Sequence, residues 1–167
     1  MSALTVPSTL TAVLLCGLTG HAAEKSVAVF DFELVDTSLE GATNGPRIDE
    51  QDRIFWLGEN LRKRLSDTGR FEIITVPADV RSRAGKLQNC NGCEIKLARE
   101  LGAKLAITGW VQKVSNLILN LNVAVLDADS GLVVASASVD MRGNTQESWA
   151  RALDYIVRNR LLAPGGL

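Results

Sequence analysis

Histidine is nearly absent from the sequence. The one histidine among the 167 residues is His21, and it lies in an apolar amino-terminal segment that we expect to be removed on export. Without an imidazole, the remaining chain cannot form a Ser-His-Asp or Cys-His triad, or a histidine-ligated zinc, haem or iron site. Acid–base chemistry would then fall to carboxylates or lysine. We therefore predict a protein that is not an enzyme and that uses no cofactor and no metal.

Aromatic residues and excess charge are also scarce. Phe, Trp and Tyr make up 5% of the residues, and 18 basic against 19 acidic side chains give a net charge of −1. Nucleic-acid-binding proteins show a clustered basic face or aromatic stacking platforms, and a membrane-surface protein shows a polybasic patch. No glycine-rich phosphate-binding motif follows a predicted strand. Composition thus argues against nucleic acid, a charged membrane surface and nucleotides as partners.

The amino terminus is typical of a cleavable signal peptide. Residues 1–23 contain no Asp, Glu, Lys or Arg, and residues 10–18 form an apolar run. This run is shorter than the roughly 20 residues that span a bilayer. Small residues follow it before the first charge, so we predict cleavage after Ala22 or Ala23. The expected product is a periplasmic protein with no membrane span after processing.

Two other interpretations of the amino terminus remain open. A lipoprotein would be modified at Cys16, although Leu15 stands where a small residue is expected. A retained segment would serve as an anchor helix. In the favoured interpretation, residues 24–167 form a single domain, which is long enough to bury a core of its own.

Hydrophobic spacing predicts an α/β domain, with segregated elements of the α+β kind. Strands are expected at 26–32, 71–76, 104–112, 117–126 and 132–140, and helices at 54–65, at 93–101 and from Asn144 onward. Segment 33–49, which is polar and contains glycines, is predicted to be a long loop. The order β-α-β-α-β-β-β-α implies parallel early strands and a late antiparallel meander. We expect one mixed sheet with helices packed mainly on one face.

Three stretches of the sequence resemble a known family. FDFELVDTS at 30–38, GWVQKVSNLILN at 109–120 and DMRGNTQESW at 140–149 are similar to motifs of an uncharacterised family of periplasmic proteins. The resemblance covers nearly all of the chain after residue 23. It implies a domain of unknown function whose members are often encoded beside quinoprotein alcohol or methanol dehydrogenases. The layout around 69–71 and 101–109 is more distantly similar to the amino-terminal domain of TolB and to CsgG-type envelope proteins, which are binding and assembly modules.

Cys90 and Cys93 are the two cysteines that remain after the predicted cleavage. In an oxidising compartment an isolated pair forms a disulfide, so we predict a structural bond at the start of a helix. The alternative is thiol redox exchange, because a helix amino terminus lowers a thiol pKa. A zinc site is less well supported, because two thiols supply half of the ligands it needs.

Three carboxylates lie close together in the sequence at Asp31, Glu33 and Asp36. Asp31 and Glu33 would share one face of a strand, and oxygen ligands suit a hard cation such as Ca²⁺. A cation carrier is therefore one alternative function. A solvated acidic loop at the end of the strand is the simpler interpretation, because the spacing does not follow a known calcium loop.

The predicted binding surface combines segment 33–49 with the region around Arg142 and Asn144. Asn144 or Thr145 is expected to cap the last helix. Arg142 could hold an anion there, or pair with a carboxylate such as Asp31 or Asp140. Trp110, in a strand, is expected in the core unless it marks a partner surface. We predict a non-catalytic accessory protein that binds an envelope protein or a small ligand, and the sequence leaves its oligomeric state open.

Overall fold

The computed structural model describes residues 25–167, so the predicted signal peptide and His21 lie outside the described residues. The strands are β1 (Lys25–Val29), β2 (Glu33–Asp36), β3 (Phe71–Ile74), β4 (Leu105–Ser115), β5 (Ile118–Asp127) and β6 (Val133–Met141). The α-helices are α1 (Leu39–Asn44), α2 (Ile48–Ser66), α3 (Ala78–Ala84), α4 (Cys93–Glu100) and α5 (Gln146–Ile156). A 3-10 turn (Leu87–Asn89) precedes α4, and a π-helical turn (Val157–Leu161) continues α5.

All six strands belong to one mixed sheet, as predicted. Five of them follow the order β3-β1-β4-β5-β6. β1 runs parallel to β3 and to the first part of β4, while β2 runs parallel to the second part of β4. β4, β5 and β6 form the expected antiparallel meander. β1 and β2 therefore lie one after the other along the same side of β4.

Helices cover the two faces of the sheet unequally. The long helices α2 and α5 cover one face, in a core that includes Leu57, Leu61 and Trp149. The shorter helices α3 and α4 cover part of the other face, where Phe30 and Leu97 belong to a second apolar cluster. The prediction that helices lie mainly on one face holds for α2 and α5, and the second cluster adds a partial opposite layer. No helix within residues 25–167 covers the rest of that second face, which is formed by β4, β5 and β6.

Helix α2 follows the apolar spacing expected from the sequence. Ile54, Leu57, Leu61 and Leu65 recur every three or four residues and are all buried. The chain leaves the helix at Gly69, whose φ of 64° is a left-handed conformation that glycine adopts without strain. Within residues 25–167, no helix is long and apolar enough to cross a membrane.

The segment predicted to be a loop, 33–49, is ordered into β2, α1 and the start of α2. Ser38 caps α1 by accepting a hydrogen bond from the Gly41 amide at 3.0 Å. The Ser38 hydroxyl and amide both donate to one oxygen of Asp36, at 2.6 and 2.8 Å. The loop prediction was wrong because β2 is stabilised by pairing with β4, some 77 positions later, which local composition does not reveal.

A break in the strand separates β1 from β2. The Phe32 ring lies directly over Gly109 of β4, where an added Cβ would stand 2.2 Å from the ring. Arg62 of α2 donates to the Val29 carbonyl at the end of β1, at 2.9 and 3.2 Å, and to Asp31 at 2.6 Å. Both contacts lie on the α2 side of the sheet, where Phe32 belongs to the core under that helix. Together they fix the break that separates β2 from β1.

Candidate functional site

A lysine is fully buried among three carboxylates. Lys113, on β4, has no exposed side-chain surface, and its Nζ donates to Glu50 at 2.6 Å, to Asp36 at 3.1 Å and to Glu40 at 3.2 Å. These acceptors come from α2, β2 and α1. Since removing such charges from water costs several kcal/mol each, the cluster is stable only while its members are paired.

The ion pairs shift the pKa values of the groups in this cluster. Burial alone would raise the pKa of Asp36, but hydrogen bonds from Ser38 and Lys113 outweigh it and hold the pKa below its ordinary value. Hydrogen bonds from Lys113 and Asn116 likewise lower the pKa of Glu40. Burial would lower the pKa of Lys113, yet its three carboxylate partners raise it. At neutral pH the lysine is therefore charged, and the cluster does not supply a free base.

Asn144 joins this cluster from the loop before α5. Its amide nitrogen donates to Glu50 at 2.5 Å and to Asn116 at 3.1 Å, and its oxygen accepts from Trp149 at 3.1 Å. Arg53 donates to the same oxygen and lies over the Trp149 ring at 5.4 Å. Thr145 rather than Asn144 caps α5. The structure thus brings the predicted residues Asp36 and Asn144 into one neighbourhood, through Lys113 and Glu50.

A layer of arginines covers the cluster on its outer side. Arg47 donates to Asp49 at 2.9 and 3.0 Å and to Glu40 at 3.1 Å. Arg53 also donates to Asp49, and these two guanidinium groups hold the pKa of Asp49 well below its ordinary value. Asp36, Glu40, Asp49 and Glu50 are consequently paired with cations of the same domain.

A hollow of about 470 Å³ lies beside β2. Its wall includes all of residues 33–38, together with Gly45 and Pro46 after α1, Gln51 of α2, and Lys86 and Asn89 from around the 3-10 turn. The carboxylate of Glu33, at this wall, accepts a hydrogen bond from the Leu87 amide at 2.6 Å. The hollow contains the predicted site residues Glu33 and Asp36.

The structure does not bring Asp31, Glu33 and Asp36 together as a cation site. Asp31 accepts from Arg62, Glu33 from the Leu87 amide and Asp36 from Lys113. Each carboxylate therefore has its own donor. The expectation that one strand would align Asp31 with Glu33 fails because the strand breaks between them.

Cys90 and Cys93 form the predicted disulfide at the start of α4. Within residues 25–167, Cys90, Cys93 and Glu94 are the sole cluster of potential metal ligands. Both thiols are committed to the disulfide, so this cluster offers a metal one free carboxylate. Asn91 and Gly92, which both have positive φ, lie between the two cysteines, and Cys93 is the first residue of α4.

Arg142 is exposed, and within the described part of the chain it has no ion pair. Its predicted pairing with Asp31 or Asp140 is wrong, because Asp31 accepts from Arg62 and Asp140 accepts from Asn120 at 2.8 Å. Arg142 lies directly after β6 and before the Asn144 loop. It therefore remains a predicted surface residue beside the cluster.

Trp110 lies on the uncovered part of the sheet. Its neighbour Val111 points into the core below α2 and α5, so the Trp110 side chain points to the opposite face. There it lines a shallow hollow of about 420 Å³ with Asn122, Ser138 and Arg160. Trp110 is half-buried rather than part of the core, which corrects the default expectation for a strand tryptophan.

Lys113 is the central site residue that the sequence patterns did not identify. A single lysine in a strand is usually exposed to solvent, and the predicted strand ended one residue before it. The alternation of side chains along the strand could have identified Lys113 as buried, because it lies on the same face as Val111, two positions earlier. An inward-facing lysine must have acidic partners, and segment 33–50 supplies them.

Residues 25–161 match the family DUF3280, whose description is "Protein of unknown function (DUF2380)". The chain belongs to this family. This agrees with the resemblance to a family of uncharacterised proteins. A comparison with curated proteins returned no match.

Solved structures show a distant similarity of fold. The LpoB C-terminal domain from Salmonella enterica is 17% identical, with a TM-score of 0.49 over 74% of this chain and 87% of that one. Lipoprotein GNA1162 from Neisseria meningitidis is 13% identical, with a TM-score of 0.47 over 80% and 97%. The PelC dodecamer from Paraburkholderia phytofirmans is 17% identical, with a TM-score of 0.47 over 78% and 81%. With TM-scores below 0.5, these likenesses assign no function to the chain.

Proposed function

We propose that the protein is a non-catalytic accessory protein of the bacterial envelope, which binds a partner protein in the hollow beside β2. The observation that carries the proposal is the hollow itself, about 470 Å³ and lined by residues 33–38, Gln51 and Lys86. Concave sites of this size are the usual places where proteins bind ligands. The segment that forms the wall is the one that the sequence suggested as an interaction surface.

The electrostatics of the wall support binding rather than acid–base chemistry. A general base needs a pKa near the working pH, whereas the pKa values of Asp36 and Glu40 lie below their ordinary values. Lys113 is buried and committed to three carboxylates. Such a network orders the wall of the hollow in one conformation, which reduces the entropy lost when a partner binds.

Site-specific photo-crosslinking tests the proposal directly. A photo-reactive amino acid in place of Asn89, which is exposed and lines the hollow, should crosslink one partner in intact cells. The matched control replaces Phe55, which is 64% exposed on α2 and does not line the hollow. The proposal fails if both positions give the same products, or if position 89 gives no crosslinked protein.

We further propose that this partner belongs to a quinoprotein dehydrogenase system. Support for this finer assignment comes from the family resemblance in the three sequence motifs, and it is tested separately. Periplasmic extracts of alcohol-grown cells and of cells grown without alcohol are passed over the immobilised protein. Enrichment of a quinoprotein dehydrogenase or one of its accessory proteins, in the alcohol-grown extract alone, is expected. Equal recovery from both extracts contradicts the assignment.

A further inference from the structure

The hollow follows the edge of β2 rather than one of its faces. Successive side chains of a strand point to opposite faces, so a hollow on one face would be lined by every second residue. Residues 33–38 line it without interruption. This is possible when a cavity lies along the backbone at the side of the strand. In the described part of the chain, β2 pairs with β4 alone, so its other side is free.

The register identifies the backbone groups that point into the hollow. The Thr37 amide donates to the Lys113 carbonyl of β4 at 2.9 Å. Amide directions alternate along a strand, so the amides of Thr37, Val35 and Glu33 point toward β4. Those of Leu34 and Asp36 point away from it, toward the hollow. Main-chain donors and acceptors of two residues are therefore presented at the open side of β2.

The place beside β2 is one that another strand would fill. β3 pairs with β1 up to Ile74, opposite Ala28, and a longer β3 would continue past the strand break to lie next to β2. Pro77 instead starts α3 and takes the chain away. Free edges attract additional strands, and proteins usually protect them with lysine, proline or a covering element. β2, with the sequence Glu-Leu-Val-Asp, contains neither lysine nor proline.

We infer that an extended segment of the partner protein binds in this hollow by adding a strand to the free edge of β2. This inference rests on the proposed function and names the form of the partner. Strand addition takes affinity from main-chain hydrogen bonds and specificity from alternate side chains. Lys86, at the rim, has no ion pair within residues 25–167, whereas Asp36 is neutralised by Lys113. The Glu33 carboxylate, also at the wall, accepts a hydrogen bond from the Leu87 amide, so we expect the added segment to carry an acidic side chain close to Lys86 rather than close to Glu33.

The test uses peptides as probes of the purified protein. Fluorescein-labelled hexapeptides are selected from a random library, and affinity is measured by fluorescence anisotropy. In a selected peptide, every second amide faces β2 and the others face away from it. N-methylation of the amides that face β2 should weaken binding at least about tenfold, and N-methylation of the others, which is the control, should not. Selected peptides should contain Asp or Glu, and Lys86→Glu should reverse that preference.

Variants of β2 give an independent control. Leu34→Pro removes an amide that does not bond to β4, and proline is tolerated at such edge positions. It should abolish peptide binding, while Leu34→Thr, which keeps the amide, should retain it. Thermal unfolding shows whether Leu34→Pro is folded. If it is not, the binding of the N-methylated peptides to the unaltered protein tests strand addition without this variant.

Two results separate this inference from the proposed function. If the photo-reactive group at position 89 crosslinks a partner but no hexapeptide is selected, or if the binding of selected peptides is insensitive to alternate N-methylation, strand addition is refuted and the proposed function stands. If position 89 crosslinks nothing and no hexapeptide binds, both are refuted.

Discussion

Replacing Lys113 by methionine removes the one cation that is completely buried in the described domain while nearly preserving the side-chain volume. The side chain of Glu50 is 1% exposed and that of Asp36 is 17% exposed. Both would lose the ammonium group that now lies 2.6 and 3.1 Å from their oxygens. Breaking a buried ion pair by removing one partner costs about 3–5 kcal/mol, because the remaining charge is left without compensation. We expect Lys113→Met to lose stability in this range.

Urea unfolding followed by far-ultraviolet circular dichroism measures the loss. With a slope of about 2 kcal/mol per M for a domain of this size, the midpoint should fall by about 2 M. Lys104→Met is the matched control. The Lys104 and Asp129 side chains, which form a salt bridge, are each about two-thirds exposed, so this pair should contribute less than about 1 kcal/mol. Adding Glu50→Gln to Lys113→Met should restore part of the loss. Equal, small effects of Lys113→Met and Lys104→Met would refute the claim that the cluster is buried and paired.

Three further predictions concern packing, the disulfide and pH. Gly109→Ala should destabilise the domain by about 1–3 kcal/mol because its Cβ would overlap the Phe32 ring; an unchanged melting temperature by calorimetry would show that the ring moves freely. Cys90→Ser should cost well under the ~3 kcal/mol expected for a 15-residue loop, and full in vivo function of this variant would eliminate the thiol-redox alternative. Because the pKa values of Asp36 and Glu40 fall below their ordinary 3.8 and 4.5 on folding, the unfolded chain binds more protons at acid pH. The free energy of unfolding in urea should therefore be constant above about pH 5 and decline below it; a rise on acidification would contradict the assignment.

The parts of the fold that were predictable from the sequence are those with a strong local period. Strands β5 and β6 alternate cleanly between apolar and polar residues, and α2 repeats its apolar positions at helical spacing. Either pattern shows that one face of the element is buried, and it does so whichever element packs against that face. Strand β2 and helix α1 have no such pattern, since none of the β2 residues is fully buried and α1 buries none of its own.

The candidate site was less predictable, because its contacts join distant parts of the chain. The sequence analysis grouped Asp36 with Asn144, and in the structure these two residues are connected through Lys113 and Glu50. It could not reveal that the carboxylates near Asp31 diverge, since this depends on a strand break imposed by the fit of Phe32 over a glycine of β4. Lys113 and its carboxylate partners are more than 60 residues apart in the sequence. Which charges meet over such a separation depends on the register of the sheet, and a single sequence does not specify that register.

Arg62 offers a separate test of the strand break, because it connects α2 to the end of β1. The Val29 carbonyl is buried and accepts two hydrogen bonds from the guanidinium group. Arg62→Met would leave that carbonyl without its donors, at a cost of about 1–3 kcal/mol. Arg62→Lys should recover only part of the loss, since one ammonium group cannot reproduce the paired guanidinium contacts to Val29 and Asp31.

The location of the effect matters as much as its size. If Arg62 fixes the break, amide hydrogen exchange in Arg62→Met should accelerate first at residues 29–36, because among residues 25–167 β2 pairs with β4 alone. The hollow beside β2 would then lose its ordered wall, and the peptides selected on the unaltered protein should bind more weakly although no residue of the hollow has changed. Uniform acceleration across the sheet would instead mean that Arg62 stabilises the domain as a whole and has no particular role in holding β2 apart from β3.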